Sequence, residues 1–513
     1  MDNKEMTNEE NYHFDVTGYL IVPGVLTPDQ LKTCNEALDQ LETVDGAAPS
    51  CVSSRSALHF LRDHPVLTQY LEEICGENFR LDRSPHLIEM NAEPSEDDKV
   101  ALSGGSEWQD WSRAYRQYNG SRFCQGLRAI WALADVNEGD GGLVMVSASH
   151  NSSVDAPQDL VSGDDDMGLV VQPVLQAGDL LLCTESLMWG LRPWQGKGPQ
   201  RLLECGYISA EVRPSAASEI AGEDDTMPEW TAQLTPVQRA VLHNPNRGYP
   251  PPVVHSDGKT ASLSTEPGIL HPSIYKRDPD SGIDEKEFFH WDLCGHLVLR
   301  GVMDADWLAA ANEAIDANPD RISTGGSAAG DSKPLAGTGV GRSSMGNPWE
   351  LPAPYGEPFQ RMIADPALIQ RLNWIMGSGF ECMMCSGFLS GKGSSGHFLH
   401  ANGFPSRVTN HYRQQNGRVY SEYLNVAWQL RDVTLADGGF VCVPGSHKTS
   451  YPMPDGIRTC DNEMGMVRHI EMKAGDVLLF LASAQTHGAY PWTGEQNRRM
   501  IFFQYRSRNL YAP

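Results

Sequence analysis

An internal repeat constrains the fold of this chain more than any other feature. Four groups of residues recur at a constant offset of 297 residues. They pair Trp131 to Asp135 with Trp428 to Asp432, Gly141-Gly142 with Gly438-Gly439, Ser-Ala-Ser-His150 with Pro-Gly-Ser-His447, and Ala-Gly-Asp179 with Ala-Gly-Asp476. An offset this long far exceeds the period of a solenoid repeat, so the sequence predicts two copies of one domain.

The repeat divides the 513 residues into two domains and a connection. Both copies open with a segment typical of a short strand, a turn and a helix, beginning at Phe14 and Trp291. We place the first domain at residues 1–212 and the second at 287–513, joined by a polar, proline-rich tail and linker at 213–286. The second copy also carries a Gly- and Ser-rich insertion, Gly325 to Ser344, which is either a disordered loop or a lid; we expect disorder.

Composition limits the partners of the protein. The chain has 66 acidic and 40 basic residues, a net charge of −26, which disfavours binding to nucleic acid or to an anionic membrane surface. No apolar run is long enough to span a membrane, and the first residues lack the apolar core of a signal peptide. The eleven cysteines show no zinc-binding pattern, so we expect a cytoplasmic, reducing location.

The later part of each copy is built from short β-rich runs. They lie at residues 127–133, 143–146, 424–430 and 440–443, separated by clusters of Gly, Asp, Asn and Pro. Regularly spaced short strands with tight turns predict a barrel or jelly roll in each copy.

The two copies differ where chemistry would occur. The second copy has His400 and His487 where the first has Ser103 and, after a shift of one residue, Trp189. Two imidazoles on separate strands can meet at the mouth of a barrel, and together with a carboxylate they form the ligand set of non-heme Fe(II) oxygenases. We expect His397 to face away from His400, because an odd spacing on a strand changes the face.

An arginine follows on the next strand. Arg499 stands 12 residues after His487 in an otherwise apolar run, and its guanidinium needs an anionic partner. That partner is either a bound dicarboxylate or an internal aspartate such as Asp476.

Both halves resemble the phytanoyl-CoA dioxygenase family of Fe(II)- and 2-oxoglutarate-dependent oxygenases. The resemblance rests on the opening segment Phe14 to Leu26 and on Trp428 to Asp432, Gly438 to His447, Ala474 to Phe480, His487-Gly and Arg499. It implies a mainly β fold with flanking helices, two double-stranded β-helix (jelly-roll, cupin-like) domains in tandem. It further implies that His400 and His487 bind iron, that Arg499 holds 2-oxoglutarate, that Trp428 lines the pocket, and that His447 belongs to a structural turn.

The chain departs from this family at one ligand. The family places an acidic residue two positions after the first histidine, whereas this chain has Asn402. Three outcomes follow: Asn402 binds the metal through its amide oxygen or through water, the vacant position accepts an anion such as chloride as in related halogenases, or the site is inactive.

The first copy cannot form the triad, because Ser103 and Trp189 replace the imidazoles and Gly105 replaces the acidic residue; of the predicted set it retains Arg201, opposite Arg499. We expect it to be non-catalytic and to pack on the second copy, with an anion site at Arg201 as the alternative.

These observations predict an oxygenase that uses Fe(II), 2-oxoglutarate and O2 to hydroxylate an aliphatic C–H of a small molecule. Halogenation at the position vacated at Asn402 is the first alternative. The second is a non-catalytic binding or scaffold protein.

Overall fold

The computed structural model describes residues 5–39, 56–90, 101–104, 114–118, 121–210, 212, 252–254, 261–263, 283–339, 341–376, 380–405, 407, 410, 412–415 and 418–507. The helices are α1 Asn8–Thr17, α2 Pro28–Asp39, α3 Pro65–Cys75, α4 Gln158–Ser162, α5 Glu285–Cys294, α6 Ala305–Asp316, α7 Glu357–Met362, α8 Pro366–Met376 and α9 Asp455–Thr459. Short 3₁₀ turns lie at Ser56–Leu61, Ser149–Asn151, Pro319–Arg321, Pro348–Glu350 and Ser446–Lys448.

The strands of the first half are β1 Tyr19–Val22, β2 Arg80–Met90, β3 Tyr115–Tyr118, β4 Ser121–Cys124, β5 Gly126–Ala132, β6 Gly142–Val146, β7 Val170–Val171, β8 Leu180–Thr184, β9 Trp189–Arg192 and β10 Gln200–Ile208. A hairpin, β11 Pro252–Val254 and β12 Ala261–Leu263, follows. The strands of the second half are β13 His296–Leu299, β14 Ile322–Thr324, β15 Ser343–Gly346, β16 Phe380–Ser390, β17 His397–His400, β18 Tyr412–Gln415, β19 Arg418–Ser421, β20 Tyr423–Gln429, β21 Gly439–Cys442, β22 Arg468–His469, β23 Val477–Leu481, β24 His487–Tyr490 and β25 Arg498–Ser507.

The strands that the two halves have in common lie in the same order. A major sheet runs β1-β8-β5-β10-β2 in the first half and β13-β23-β20-β25-β16-β15-β14 in the second. A minor sheet runs β7-β6-β9 in the first half and β22-β21-β24-β17 in the second. The described residues are therefore mainly β with flanking helices, as predicted. The boundaries 1–212, 213–286 and 287–513 stay a prediction, because most of the linker lies outside the described residues.

Each half has two apolar layers. In the second half the two sheets enclose an inner core, which contains Phe440, Leu478, Phe480 and Met500. The other face of the major sheet packs against helices, where Trp307 of α6 meets Trp428 at 5.2 Å between ring centroids. This alternation follows from the period of two along each strand.

The first helix of each half covers the minor sheet of the other half. Helix α1 places Tyr12 and Val16 in one cluster with residues of the second half, namely Leu399, Val441 and Val443. Helix α5 does the same for the first half, where Phe289 and Leu293 pack with Val144, Val146 and Met188. The described halves are thus joined by a reciprocal exchange of helices.

The two Ser-His turns fix these helices. His150 donates from Nε2 to the carbonyl oxygen of Asp15 at 3.1 Å, and His447 does the same to Asp292 at 3.1 Å. Gly18 and Gly295 end the helices at φ +83° and +75°, where a Cβ would lie 2.6 and 2.7 Å from the imidazole Nδ1 atoms. His447 therefore sits in a packed turn, in line with its predicted role.

The glycine-rich insertion is ordered within the described residues 325–339 and 341–344, so our expectation of disorder was wrong. Leu335 is fully buried, and its carbonyl accepts a hydrogen bond from the Gly396 amide at 2.8 Å. The Ala328 carbonyl accepts from Phe398 at 3.1 Å. Apolar anchoring and pairing with β17 outweigh the local flexibility of the glycines.

Two further findings bear on the environment of the protein. No helix in the described part of the chain is both long enough and apolar enough to cross a membrane. The ten cysteines among the described residues are all free thiols.

The buried turn histidines predict a pH-dependent stability. Burial lowers the pKa of His447 to about 3. The unfolded chain therefore takes up this proton first, and stability that is present above pH 6.5 is lost as the pH falls toward 3. Replacing His447 by Gln, which keeps an N–H donor, should reduce the pH slope of the unfolding free energy by about 1 kcal/mol per pH unit between roughly pH 6 and 4.5. Urea unfolding at several pH values measures this; an unchanged slope would contradict it.

Candidate functional site

The structure brings His400 and His487 together. They are partners across β17 and β24, and their ring centroids lie 4.3 Å apart. Phe480 lies against the His487 ring at 4.7 Å, and Phe440 stacks over it at 6.1 Å. The two imidazoles therefore lie together and border the apolar interior between the sheets.

Backbone carbonyls fix the tautomer of both imidazoles. His487 donates from Nδ1 to the Gln485 carbonyl at 2.8 Å, and His400 donates from Nδ1 to the Phe398 carbonyl at 3.2 Å. Burial lowers the pKa of His487 to about 3, helped by the charge of His400, and it also lowers the pKa of His400. Both rings are thus neutral near pH 7 with a lone pair on Nε2, the form that binds metals.

A third imidazole lies close by, against our expectation. A bulge separates His397 from His400 in the pairing with β24, so the odd spacing does not place them on opposite faces. Their ring centroids are 4.7 Å apart. His397 donates from Nδ1 to the Phe398 carbonyl at 2.7 Å. Its Nε2 is therefore also unprotonated and keeps its lone pair.

Asn402 presents a buried oxygen. Its Nδ2 donates to the Tyr451 carbonyl at 2.8 Å, while its Oδ1 is buried without a hydrogen-bond partner. No group of three His, Cys, Asp or Glu side chains within the described ranges is arranged to hold a metal ion. The amide oxygen is therefore the nearest substitute in the sequence for the missing carboxylate. An open groove of about 490 Å³ lies beside it, bordered by Phe404, Pro405, Arg407, Asn410, Pro452 and Met453.

The structure does not bring Arg499 to the imidazoles. Successive residues of β25 face opposite sides, and Arg499 shares the helix-facing side with Ile501 and Phe503. It donates to Asn312 Oδ1 at 3.1 Å and pairs with Asp316, both on α6. Asp476 is not its partner either, because that carboxylate binds Arg300 at 2.7 Å.

Arg498 occupies the inner face instead. Its side chain is 5% exposed, it shares the face of Met500, and its Nε is buried without a partner. Gly439 lies beside it, where a Cβ would be in van der Waals contact with the guanidinium carbon at 3.4 Å. Burial lowers the pKa of Arg498 to about 10, helped by the charge of Arg342. Neither Arg498 nor Arg342 forms an ion pair with a described residue.

Arg342 belongs to the ordered insertion. The antiparallel register pairs Ser343 with Leu389 and Ser390 with Arg498, which aligns Arg342, Ser390 and Arg498 on one line across the sheet. Side chains so aligned share a face. Arg342 is half-buried, and its guanidinium lies over the Phe388 ring at 5.7 Å, so a second cation lies on the same side of the sheet as Arg498. The sequence analysis identified neither arginine. Side chains alternate between the two faces of a strand. Once it is known which face of β25 points inward, this alternation identifies Arg498 as the inward-facing arginine.

Trp428 does not line this interior. It is fully buried on the helix-facing side of β20, whereas its neighbour Ala427 faces inward. Its contact with Trp307 ties the major sheet to α6. The expected pocket-lining role is therefore not supported by its position.

The corresponding interior of the first half is filled. Trp189 pairs with Ser103 as His487 pairs with His400, and its ring stacks on Arg128 at 3.8 Å. Arg128 in turn binds Glu204, with Nε to Oε1 at 3.0 Å. Gly105 lies outside the described residues.

The arginine that both halves retain is structural. Arg201 binds Asn35 at 3.1 Å and Asp39 at 2.7 Å on α2, just as Arg499 binds α6. Gln200, with its side-chain amide buried and unpaired, stands where Arg498 stands in the second half. An anion site at Arg201 is therefore not supported by the geometry.

Comparison with known families gives one match. Residues 391–500 match the family model described as phytanoyl-CoA dioxygenase (PhyH). The match covers about a fifth of the chain and lies within the second half. The matched range contains His400, Asn402, His487 and Arg498.

Solved structures give distant likenesses, and no curated protein sequence matches. HygX from Streptomyces hygroscopicus, with nickel and 2-oxoglutarate bound, is 23% identical at a TM-score of 0.36 and covers 41% of this chain and 90% of its own. EctD from S. alaskensis is 18% identical at a TM-score of 0.35, covering 47% and 82%. The epimerase SnoN from nogalamycin biosynthesis is 19% identical at a TM-score of 0.32, covering 44% and 82%.

The filled interior of the first half predicts a large stability loss in one variant. Glu204→Gln leaves the Arg128 guanidinium buried beside an uncharged side chain, which should lower the unfolding free energy by about 3 kcal/mol. Arg192→Gln, which breaks an exposed pair with Asp166, should cost below about 1 kcal/mol. Equilibrium urea unfolding compares them, and equal small losses would show that the buried pair contributes nothing.

Proposed function

We propose that the second half is an Fe(II)- and 2-oxoglutarate-dependent oxygenase that oxidises an aliphatic C–H of a small molecule, and that the first half is non-catalytic. The observation that carries this proposal is the pair of neutral imidazoles, His400 and His487, with free Nε2 lone pairs inside a phytanoyl-CoA dioxygenase family domain. Bound together, Fe(II), 2-oxoglutarate and O2 supply the oxidising power that no side chain has.

The residues present fit a metal ion with an unusual third position. His400 and His487 would contribute two nitrogen ligands. Asn402 would contribute its Oδ1, since that atom is buried and unpaired while Nδ2 is held by Tyr451. A neutral oxygen in place of a carboxylate leaves one more positive charge at the metal, so affinity for Fe(II) should be weaker than in a site with an acidic ligand.

Arg498, rather than Arg499, is the residue we propose for the distal carboxylate of 2-oxoglutarate. A guanidinium buried without a counter-ion is costly, and a bidentate carboxylate would satisfy it. Arg342 adds a second positive group near the same position. These two local cations offset the overall charge of −26, which otherwise repels a dicarboxylate.

The interior also excludes water from the reaction. Phe440 and Phe480 contact His487, and Met472 and Leu478 line the same core. An apolar wall of this kind protects a strong oxidant from side reactions. The substrate would reach the site from the groove beside Asn402, whose lining of Phe404, Arg407 and Asn410 suits a small molecule with polar groups.

The alternatives fit the geometry less well. In the halogenase hypothesis an anion takes the third position, but here Asn402 stands at that place in the sequence and its side chain is tied to the Tyr451 carbonyl. A non-catalytic scaffold protein would have no use for a buried, unpaired Arg498. The interior of the first half, which Trp189, Arg128 and Glu204 fill, shows what the interior of such a protein would look like.

The free thiols of the described residues favour a reducing, cytoplasmic location.

The two arginines give a matched test of 2-oxoglutarate binding. Arg498→Gln copies the first half at this position and should lower the affinity for 2-oxoglutarate by at least about 100-fold, because the desolvated carboxylate loses its charged partner. Arg499→Gln should change the affinity less than about threefold while lowering thermal stability. Calorimetric titration with metal present measures both. A loss confined to Arg499→Gln would restore the original assignment.

The metal ligands give a second test. Anaerobic addition of Fe(II) and 2-oxoglutarate should produce the weak visible absorption of an iron-bound 2-oxo acid, and His487→Ala should abolish it. Asn402→Asp should tighten Fe(II) binding by about tenfold or more, since it restores a charged ligand. Chloride dependence of the absorption would favour halogenation. No absorption at high ligand concentration would favour the scaffold reading.

A further inference from the structure

Helix α1 of the first half contacts the segments that carry the candidate metal ligands of the second half. We infer that Tyr12 and Asp15 on this helix position those ligands, so that the non-catalytic half is a working part of the site. This inference rests on the proposed function of His400, His487 and Asn402. Two hydrogen-bond paths lead from α1 to the site.

The first path runs through a pair of hydroxyl groups. Thr486, beside His487, donates from Oγ1 to the Ala401 carbonyl at 2.9 Å. Because that hydroxyl hydrogen is used, the Tyr12 hydroxyl is the donor in its 3.5 Å contact with Thr486 Oγ1. Tyr12 and Thr486 are both fully buried.

Ala401 gives this path its importance. It lies between His400 and Asn402 and has φ +62°, a left-handed conformation that residues other than glycine rarely adopt. Such a conformation persists where its surroundings hold it. The path from Tyr12 thus reaches the residue that sets the direction of Asn402 relative to His400.

The second path runs through Asp15. Its Oδ2 accepts from Thr449 Oγ1 at 2.9 Å and from the Ser450 amide at 2.8 Å. The next residue, Tyr451, accepts the Asn402 amide at its carbonyl. Arg122 of the first half donates to the Tyr451 hydroxyl at 2.6 Å. The buried Asp15 therefore holds the loop that holds Asn402.

The pseudo-symmetric position shows which of these contacts are specific to the site. Asp292 of α5 accepts from the Ser153 amide at 2.9 Å, the mirror of the bond between Asp15 and Ser450. The hydroxyl path has no such mirror. Phe289 replaces Tyr12, Met188 replaces Thr486, and Gly104, at φ +86°, replaces Ala401.

The comparison separates joining the halves from positioning the ligands. The aspartate bonds occur on both sides and join the halves, and on the side of the imidazoles the bond of Asp15 to Ser450 also holds the loop that binds Asn402. The Tyr12, Thr486 and Ala401 path occurs only where imidazoles are present, on the side where a residue with a Cβ must be held in a glycine-like conformation. This asymmetry favours a positioning role over a purely structural one.

The test uses the full chain with three variants. Tyr12→Phe removes one hydroxyl and copies Phe289. Asp15→Asn places an amide N–H against one of its donors. Asp292→Asn makes the corresponding change at the mirror position, where it also removes the buried ion pair with Lys448. Co(II) affinity from visible absorption, the Tm of the metal-free protein, and amide exchange of residues 399–403 in the metal-free protein are measured for each.

We expect Tyr12→Phe and Asp15→Asn to weaken Co(II) binding about tenfold, as outer-shell changes do, and to accelerate exchange at 399–403. Asp292→Asn should lower Tm at least as much as Asp15→Asn, because it also removes the ion pair with Lys448, but leave affinity within about twofold and exchange at 399–403 unchanged. Equal effects of the two aspartate variants on affinity, or unchanged affinity in Tyr12→Phe and Asp15→Asn, would overturn the inference.

The proposed function can fail separately. If the wild-type protein binds no Co(II), the oxygenase proposal fails, and exchange then decides the inference by itself. Faster exchange at 399–403 in Tyr12→Phe and Asp15→Asn, but not in Asp292→Asn, supports positioning by α1. Unchanged exchange in those two variants overturns it.

Discussion

The packing of each minor sheet against a helix from the opposite half is the interaction on which the rest of the structure depends. The minor sheet of the second half presents Leu399, Val441 and Val443 on its outer face, and water cannot cover such a face without cost. Helix α1 buries it with Tyr12 and Val16, and each apolar side chain buried in this way contributes about 2 kcal/mol. Because the exchange is reciprocal, neither half has its complete set of layers alone. The geometry is that of a symmetric dimer interface within one chain.

Much of this architecture could be predicted from the sequence because it depends on periodicity and on repetition. The constant offset of 297 predicted two copies of one domain, and comparison of the copies, with a shift of one residue at Trp189, marked His400 and His487 as the point of difference. Local sequence signals are also visible where helices begin. Asp304 accepts the Trp307 amide at 2.8 Å, as a residue that begins a helix should.

The errors at Arg499 and His397 share one physical cause: the sequence does not show which face of a strand is inside. Arg498 and Arg499 are equally polar neighbours in an apolar run, and the choice between them depends on the pleat of β25. His397 was assigned by the same rule of alternation, which a bulge overrides. The insertion was assigned by composition alone, whereas its order comes from Leu335 packing beneath β17, a contact between distant parts of the chain.

The two halves differ in how their interiors are filled. A barrel interior that binds an anion must keep a buried cation with no internal partner, which destabilises the empty protein. The second half retains this feature in Arg498, whereas the first half replaces Arg498 by Gln200 and fills the space with Trp189, Arg128 and Glu204. Arg201 and Arg499 occupy equivalent positions in the two halves, and each binds the helix beside its major sheet, α2 and α6. Residues shared by the two halves therefore report on the fold, and the residues that differ report on the chemistry.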